Sequence, residues 1–183
     1  MSLLRVVYVL GAVLSFLMLT SPAEANGDRH RASLEGFQEV PAVITGASGT
    51  LKVKIAPDDA SFEFVLTYEG IEGGSVTQSH IHVGQLTANG GIVVFLCTNL
   101  APPANVPTPP ACPTPGGTVT GTRTAADVVA QLSQGVSAGD FAAVLTAIRA
   151  GTAYGNVHST VSPSGEIRGQ ISRKHHHHGN DDD

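Results

Sequence analysis

Short runs of alternating apolar and polar residues, bounded by glycine, proline and aspartate, constrain this chain more than any other feature. In the run 49–55, Leu51, Val53 and Ile55 lie on one side of an extended backbone, and two lysines lie on the other. Such alternation is typical of a strand with one buried face. Alternation, together with β-branched and aromatic content, predicts strands at residues 49–55, 62–68, 79–83, 92–96, 153–159 and 166–171.

Two short helices are predicted between the fourth and fifth of these runs. A capping signal at residues 124–127 predicts a helix that ends before Gly135. Apolar residues at helical spacing predict a second helix from about Gly139 to Ala150, with Gly151 as its stop. Because both helices fall within one connection, the sequence predicts a mostly β fold: an antiparallel sandwich with a short helical insertion.

The first 25 residues have the layout of a cleavable secretory signal peptide. Arg5 provides a positive start, residues 6–19 are almost continuously apolar, and Ala23 to Ala25 form a cleavage signal. We expect cleavage after Ala25, then a polar lead-in over residues 26–33. The protein is then secreted or periplasmic, with no membrane span after cleavage. An uncleaved anchor helix is the alternative.

Cys97 and Cys112 are the two cysteines of the chain. The segment between them is rich in proline, which disfavours both a helix and a central strand, so it is predicted to be a loop. In an oxidising compartment two cysteines at this spacing favour a structural disulfide across the loop.

The stretch 79–83 carries two histidines at strand spacing. Ile81 and Val83 should face the core, so His80 and His82 share the outer face. Two imidazoles can converge on one metal ion, but a site needs at least a third ligand. His158, which should face outward on a later strand, is the candidate. Three histidines would suit copper or zinc.

Other polar residues of the last two strands should share this surface. Tyr154 and Asn156 are predicted to face outward beside His158, as are Glu166 and Arg168 on the next strand. Arg168 would place a positive charge near the site, and Glu166 could orient an imidazole. The alternative is that the outward histidines form only a hydrogen-bonded ladder of polar side chains on the sheet.

Four segments of the sequence resemble the CHRD domain, which is named after chordin. The resemblance extends over about residues 34–172 and departs from the usual pattern at Gly155 and Ser159. It rests on Leu-Glu-Gly-Phe-Gln-Glu-Val-Pro at 34–41, His-Ile-His-Val-Gly at 80–84, Asn-Gly-Gly-Ile-Val-Val-Phe-Leu at 89–96, and the closing run 147–170.

Membership of this family would imply an immunoglobulin-like or superoxide-dismutase-like sandwich. The similarity to copper-zinc superoxide dismutase would make His80, His82 and His158 copper ligands and Arg168 an anion guide. The sequence offers no candidate for the bridging histidine or for the zinc ligands of that enzyme, which makes full dismutase chemistry doubtful.

Two functions therefore remain open for the predicted domain 34–172. The first is a non-enzymatic secreted module that binds an extracellular protein or surface ligand, with or without copper or zinc. The second is a copper-dependent redox enzyme. The balance of 10 Lys+Arg against 15 Asp+Glu, a net charge of −5, argues against nucleic acid as a partner.

The tail, residues 173–183, has no apolar side chain and is predicted to be disordered. Its histidines 175–178 would bind metals adventitiously, whether the tract is native or a tag.

Overall fold

The computed structural model describes residues 28–72 and 74–173. The predicted signal peptide and nearly all of the tail lie outside these residues. Within them no helix is long and apolar enough to cross a membrane. The elements are β1 (Arg29–Glu35), β2 (Ser48–Ile55), β3 (Ser61–Glu69), β4 (Val76–Val83), β5 (Gly91–Thr98), β6 (Gly117–Thr124), helix α1 (Phe141–Arg149), β7 (Ala153–Ser159), β8 (Ile167–Gln170) and β9 (Ser172–Arg173).

The strands form one antiparallel sheet that curls into a nearly closed sandwich. Their order is β5-β4-β7-β8-β1-β2-β3-β6, with β9 pairing to β1. The side chain of Arg123 on the edge strand β6 donates to the carbonyls of Phe95 and Leu96 on the opposite edge, each at 2.9 Å. These bonds bring the two edges together, so the mostly β antiparallel fold predicted from the sequence is confirmed.

Alternating side chains of each strand fill the interior. On β3 the buried residues are Phe62, Phe64, Leu66 and Tyr68, while those between them face outward. Helix α1 covers one end of this core, where the Phe141 ring stacks on Phe62 at 5.7 Å. The helix coincides with the second predicted helix, and the Asp140 carboxylate caps it by accepting from the Ala143 amide at 3.0 Å.

Strand β1 begins at Arg29, inside the predicted polar lead-in of residues 26–33. Its buried positions are His30, Ala32 and Leu34. The His30 ring occupies an inward-facing position of β1 and lies 3.1 Å from the Asp28 carboxylate, whose other partners are Arg149 and Arg173. Strand β1 therefore begins at Arg29, five residues before the predicted start of the domain at residue 34.

Two further expectations differ from the structure. Strand β6 was not predicted, because it consists largely of glycine and threonine and buries one apolar side chain, Val119. The first predicted helix is instead two 3-10 turns, Ala125–Asp127 and Leu132–Gln134. The predicted capping signal is present, since Asp127 accepts from the backbone amide of Thr124 at 2.8 Å.

The structure confirms the disulfide between Cys97 and Cys112. The Asn99 side chain also holds this loop: it donates to the carbonyls of Val76 and Cys112, both at 2.8 Å, and accepts from the Cys112 amide at 3.0 Å. The loop is thus tied to β4 by both a covalent bond and hydrogen bonds.

Replacing both cysteines by alanine should lower the free energy of unfolding by about 2–3 kcal/mol, because the unfolded chain gains the freedom of the opened loop. Urea unfolding followed by circular dichroism measures this. Wild-type protein reduced with dithiothreitol should show the same shift. An unchanged midpoint in both samples would mean that the Asn99 hydrogen bonds alone fix the loop.

Candidate metal centre

The three predicted histidines meet on neighbouring strands. Strands β4 and β7 pair directly, and residues opposite each other in an antiparallel pair project to the same face. That face is the one turned away from Ile81 and the core, as the sequence predicted. The register sets His80 opposite Asn156, His82 opposite Tyr154, and Gln78 opposite His158.

The imidazole nitrogens of His80, His82 and His158 form a compact group. One nitrogen from each ring lies within 4.8 Å of the other two. The closest pair is His80 Nδ1 and His158 Nε2, at 3.2 Å. Among the residues that the structure describes, these three histidines are the cluster of potential ligand side chains close enough together to hold one metal ion.

The face that carries the histidines is not exposed to solvent, contrary to what its outward direction suggested. His80, His82 and His158 are 0%, 7% and 6% exposed. Loops fold back over this side of the sheet, and the Asn89 side chain joins two of them by donating to the carbonyl of Val40 at 2.8 Å. The histidines therefore lie in a polar layer between the sheet and its loops.

Two loop carbonyls set the tautomers of two rings. His82 Nδ1 lies 2.9 Å from the Gly90 carbonyl, and His158 Nδ1 lies 2.9 Å from the Pro163 carbonyl. A carbonyl oxygen only accepts, so both Nδ1 atoms carry the proton. The Nε2 atoms of His82 and His158 consequently carry lone pairs: that of His158 faces His80 Nδ1 at 3.2 Å, and that of His82 faces the side-chain amide of Asn156 at 3.1 Å.

The third ring, His80, is positioned by Gln78. His80 Nε2 lies 3.0 Å from the Gln78 amide oxygen, to which it donates. The Nδ1 lone pair then faces His158 Nε2 at 3.2 Å. Two lone pairs at this distance repel unless a cation lies between them. If the oxygen and nitrogen of the Gln78 amide exchange places, His80 Nε2 accepts from Gln78 and His80 Nδ1 donates to His158 Nε2. That arrangement is the alternative of a hydrogen-bonded ladder.

Burial keeps the imidazoles neutral. It lowers the pKa of His80 to about 2, helped by the electrostatic repulsion that protonated His80 would meet from protonated His158 and His82. It lowers the pKa of His82 to about 4, although hydrogen bonds to Gly90 and Asn156 oppose the shift, and it also lowers the pKa of His158. Neutral imidazole is the form that binds a metal, so the rings need lose no proton to do so near pH 7.

Arg168 lies close to the site but is committed to a loop. It is 1% exposed, and its guanidinium carbon lies 3.4 Å from the centre of the Tyr154 ring. Its Nη2 donates to the carbonyls of Gln85 and Ala88 at 3.0 and 2.9 Å, and its Nη1 donates to Asn89. Through these hydrogen bonds Arg168 holds the loop between β4 and β5.

Tyr154 connects Arg168 to the histidines. Its other neighbour is the His82 ring, stacked at 4.7 Å with an interplanar angle of 4°. The Tyr154 hydroxyl accepts from the Gly90 amide at 3.1 Å, next to the carbonyl that holds His82. Tyr154 therefore fixes both the ring plane of His82 and the loop that orients it.

Glu166 and Asn156 differ in their relation to the histidines. The Asn156 side-chain oxygen lies 3.1 Å from His82 Nε2. Glu166 Oε1 instead accepts from the Thr45 hydroxyl at 2.9 Å and from the Glu72 amide at 2.7 Å. The groups that contact the Nδ1 atoms of His82 and His158 are the carbonyls of Gly90 and Pro163, which loop folding brings in.

Two residues of this layer were missed by sequence reasoning. Gln78 could have been found, because it lies two positions before His80 and so shares its face. Glu39 carried no such signal, since a loop brings it to the sheet. Burial raises the pKa of Glu39 to about 7, opposed by the positive charge of Arg168 and by hydrogen bonds from Val40 and Asn156.

The fold and site define a class of protein: an antiparallel β-sandwich domain, stapled by a disulfide, with a buried three-histidine layer on one face. The chain belongs to the CHRD domain family, whose family model matches residues 30–171. This confirms the resemblance seen in the sequence motifs. No curated protein matches the chain significantly.

Proposed function

We propose that this protein is a secreted, non-enzymatic binding module whose three-histidine centre holds one copper or zinc ion. The observation that carries the proposal is the convergence of three neutral imidazoles, with one nitrogen of each within 4.8 Å of the others. CHRD domains and disulfides are both typical of extracellular proteins, which supports a leader in residues 1–25 and an extracellular protein or surface ligand as partner.

The donor set fits these metals. Nitrogen ligands around one tetrahedral zinc ion lie roughly 3.3 Å apart, given zinc–nitrogen distances of about 2.0–2.1 Å. The closest observed pair, His80 Nδ1 and His158 Nε2, is 3.2 Å apart. Imidazole suits copper and zinc, whereas calcium and magnesium prefer oxygen ligands. His80, His82 and His158 would hold the ion, and Gln78, Gly90 and Pro163 would orient them.

Burial of the centre supports binding over catalysis. A catalytic metal needs an open coordination position that substrate can reach. The three rings are at most 7% exposed, and Arg168, the residue expected to guide an anion, is bonded to loop carbonyls. The ion would therefore join β4 to β7 and stabilise the domain.

Titration of the full chain with Cu(II) and with Zn(II) tests this proposal. Histidines 175–178 are first replaced by alanine, so that the tail does not contribute. We expect one ion per chain, loss of binding in His82→Ala and in His158→Ala, and unchanged binding in His30→Ala, a buried histidine at a different site.

Affinity weaker than about 10 μM, or binding that survives His82→Ala, would contradict the metal centre and leave the histidines as a hydrogen-bonded ladder. Superoxide turnover by the copper-loaded chain would contradict the non-enzymatic assignment.

A further inference from the structure

A depression of about 290 Å³ lies beside the histidine layer, between the loop that follows β1 and the loop that joins β7 to β8. Residues 39–43 form one wall and residues 162–165 form the other. Most of the lining is apolar or small, and Glu39 is its one charged side chain. A carboxylate in a largely apolar depression is a strong determinant of what can bind there.

The Glu39 carboxylate is incompletely satisfied. Its side chain is only 6% exposed, and its buried Oε1 has no hydrogen-bond partner among the described residues. Its nearby cation, Arg168, donates instead to the carbonyls of Gln85 and Ala88. A buried carboxylate oxygen without a partner costs free energy, which a bound donor or cation would recover.

A second carboxylate of the same kind lies next to the first. Glu166 is 1% exposed, its Oε2 has no partner among the described residues, and it lines a smaller depression of about 70 Å³. The two depressions share Val43 and Ser162 and so form one continuous surface. We call this surface, residues 39–45 with 161–166, the carboxylate groove.

Exposed apolar side chains border the smaller depression of the carboxylate groove. Ile44 is 89% exposed and Val161 is 63% exposed, and both line it. Large apolar side chains that stay this exposed beside a depression are typical of interaction sites. The groove thus combines two carboxyl groups at its floor with apolar contacts at its edge.

We propose that the carboxylate groove binds an extracellular polypeptide by accepting a lysine or arginine side chain against Glu39, with neighbouring apolar side chains packed on Ile44 and Val161. The inference rests on the proposed function as a binding module and identifies its partner by chemistry. Charge complementarity supports a basic ligand, since both floor carboxylates have a free oxygen and the chain carries a net charge of −5. A cation next to Glu39 also favours the ionised carboxylate.

Calorimetric titration of the full chain with acetylated tripeptide amides tests the proposal. The probes are Leu-Lys-Leu, Leu-Arg-Leu and the uncharged Leu-norleucine-Leu. We expect the lysine or arginine peptide to bind at least about tenfold more tightly than the norleucine peptide, equivalent to about 1.4 kcal/mol. Glu39→Gln should abolish this preference, while Glu63→Gln, an exposed carboxylate on β3, should preserve it.

Ile44→Ser provides a second variant at a surface position, where folding is not at risk. It should weaken the binding of all three peptides and leave the preference for a basic residue intact.

Equal binding of the lysine, arginine and norleucine peptides, or an unchanged preference in Glu39→Gln, would overturn the proposal. The absence of detectable binding at about 10 mM peptide would also overturn it, because a dissociation constant above about 10 mM corresponds to a binding free energy of less than about 3 kcal/mol. Lysine amide binding as tightly as the tripeptide would overturn the assignment to a polypeptide.

The same titrations in His82→Ala separate this inference from the metal centre. Peptide binding should persist in that variant, because the hydrogen-bond partners of His82 are Gly90 and Asn156, and neither residue lines the carboxylate groove. Peptide binding that disappears along with the metal would overturn the carboxylate groove as a site of its own. Metal binding without peptide binding would likewise overturn the groove and leave the metal centre intact.

Discussion

Replacing Arg168 by methionine should lower the free energy of unfolding by about 3–5 kcal/mol, the range for breaking a buried charged network by removing one member. The guanidinium is 1% exposed and donates to the carbonyls of Gln85 and Ala88 and to the side chain of Asn89. Methionine fills much of the same volume but donates nothing, so these groups lose their partners. Glu39 also loses the positive charge that opposes the rise in its pKa.

Urea unfolding followed by circular dichroism measures this loss. Arg149→Met is the matched control, because Arg149 pairs with Asp28 and Asp59 at the surface, with 38% of its side chain exposed. Exposed ion pairs contribute little, so this control should cost about 1 kcal/mol or less. Arg168→Lys should not restore stability, since lysine keeps the charge but lacks the planar fork of donors. Equal losses in Arg168→Met and Arg149→Met would contradict the role of Arg168.

Replacing Glu39 by glutamine should change stability in a pH-dependent direction. Burial raises the pKa of Glu39 from 4.5 to about 7 in the folded protein. The folded state therefore favours the protonated acid, and the wild-type protein loses stability as the pH rises from 4.5 through 7. Glutamine does not titrate. Relative to wild type, the variant should gain about 3 kcal/mol of stability between pH 4 and pH 8, since one pKa unit corresponds to about 1.4 kcal/mol.

Measuring the difference between variant and wild type cancels the titration of the buried histidines, which both proteins share. Urea unfolding at pH 4, 6 and 8 gives this difference. Glu63→Gln serves as the control, because Glu63 lies in an exposed pair with Lys54 at 3.4 Å and should show a nearly constant difference. A difference for Glu39→Gln that does not vary with pH would mean that Glu39 titrates in the folded protein as it does in the unfolded chain, and would contradict the raised pKa.

The strands with clear alternation could be predicted from the sequence. Phe62, Phe64 and Leu66 lie in the core as their period of two required, and the helix that begins at Phe141 follows its capping residue, Asp140. Strand β6 could not be predicted from the sequence. Val119 is the one apolar side chain that this edge strand buries, so the strand has almost no local alternation of apolar and polar residues. Its position depends on pairing with β3 along its full length.

The three histidines could likewise be found from local spacing, whereas their surroundings could not. His80 and His82 share a face because side chains alternate on a strand, and His158 joins them because β7 pairs with β4. The roles expected for Glu166 and Arg168 depended on which groups approach from outside the sheet. Those groups belong to loops, and the loops bring carbonyls where the sequence suggested a carboxylate.

The sequence by itself determined the strand faces, the disulfide pair and the set of three imidazoles, because each depends on spacing along the chain or on the count of one residue type. Tertiary structure alone decided that the outer face is buried, that Arg168 holds a loop, and that Glu39 and Glu166 are left with free oxygens. These properties arise from contacts between residues far apart in the chain, such as Arg168 with Gln85. The period of a strand shows which way a side chain points, but what lies in that direction depends on how the connecting loops pack.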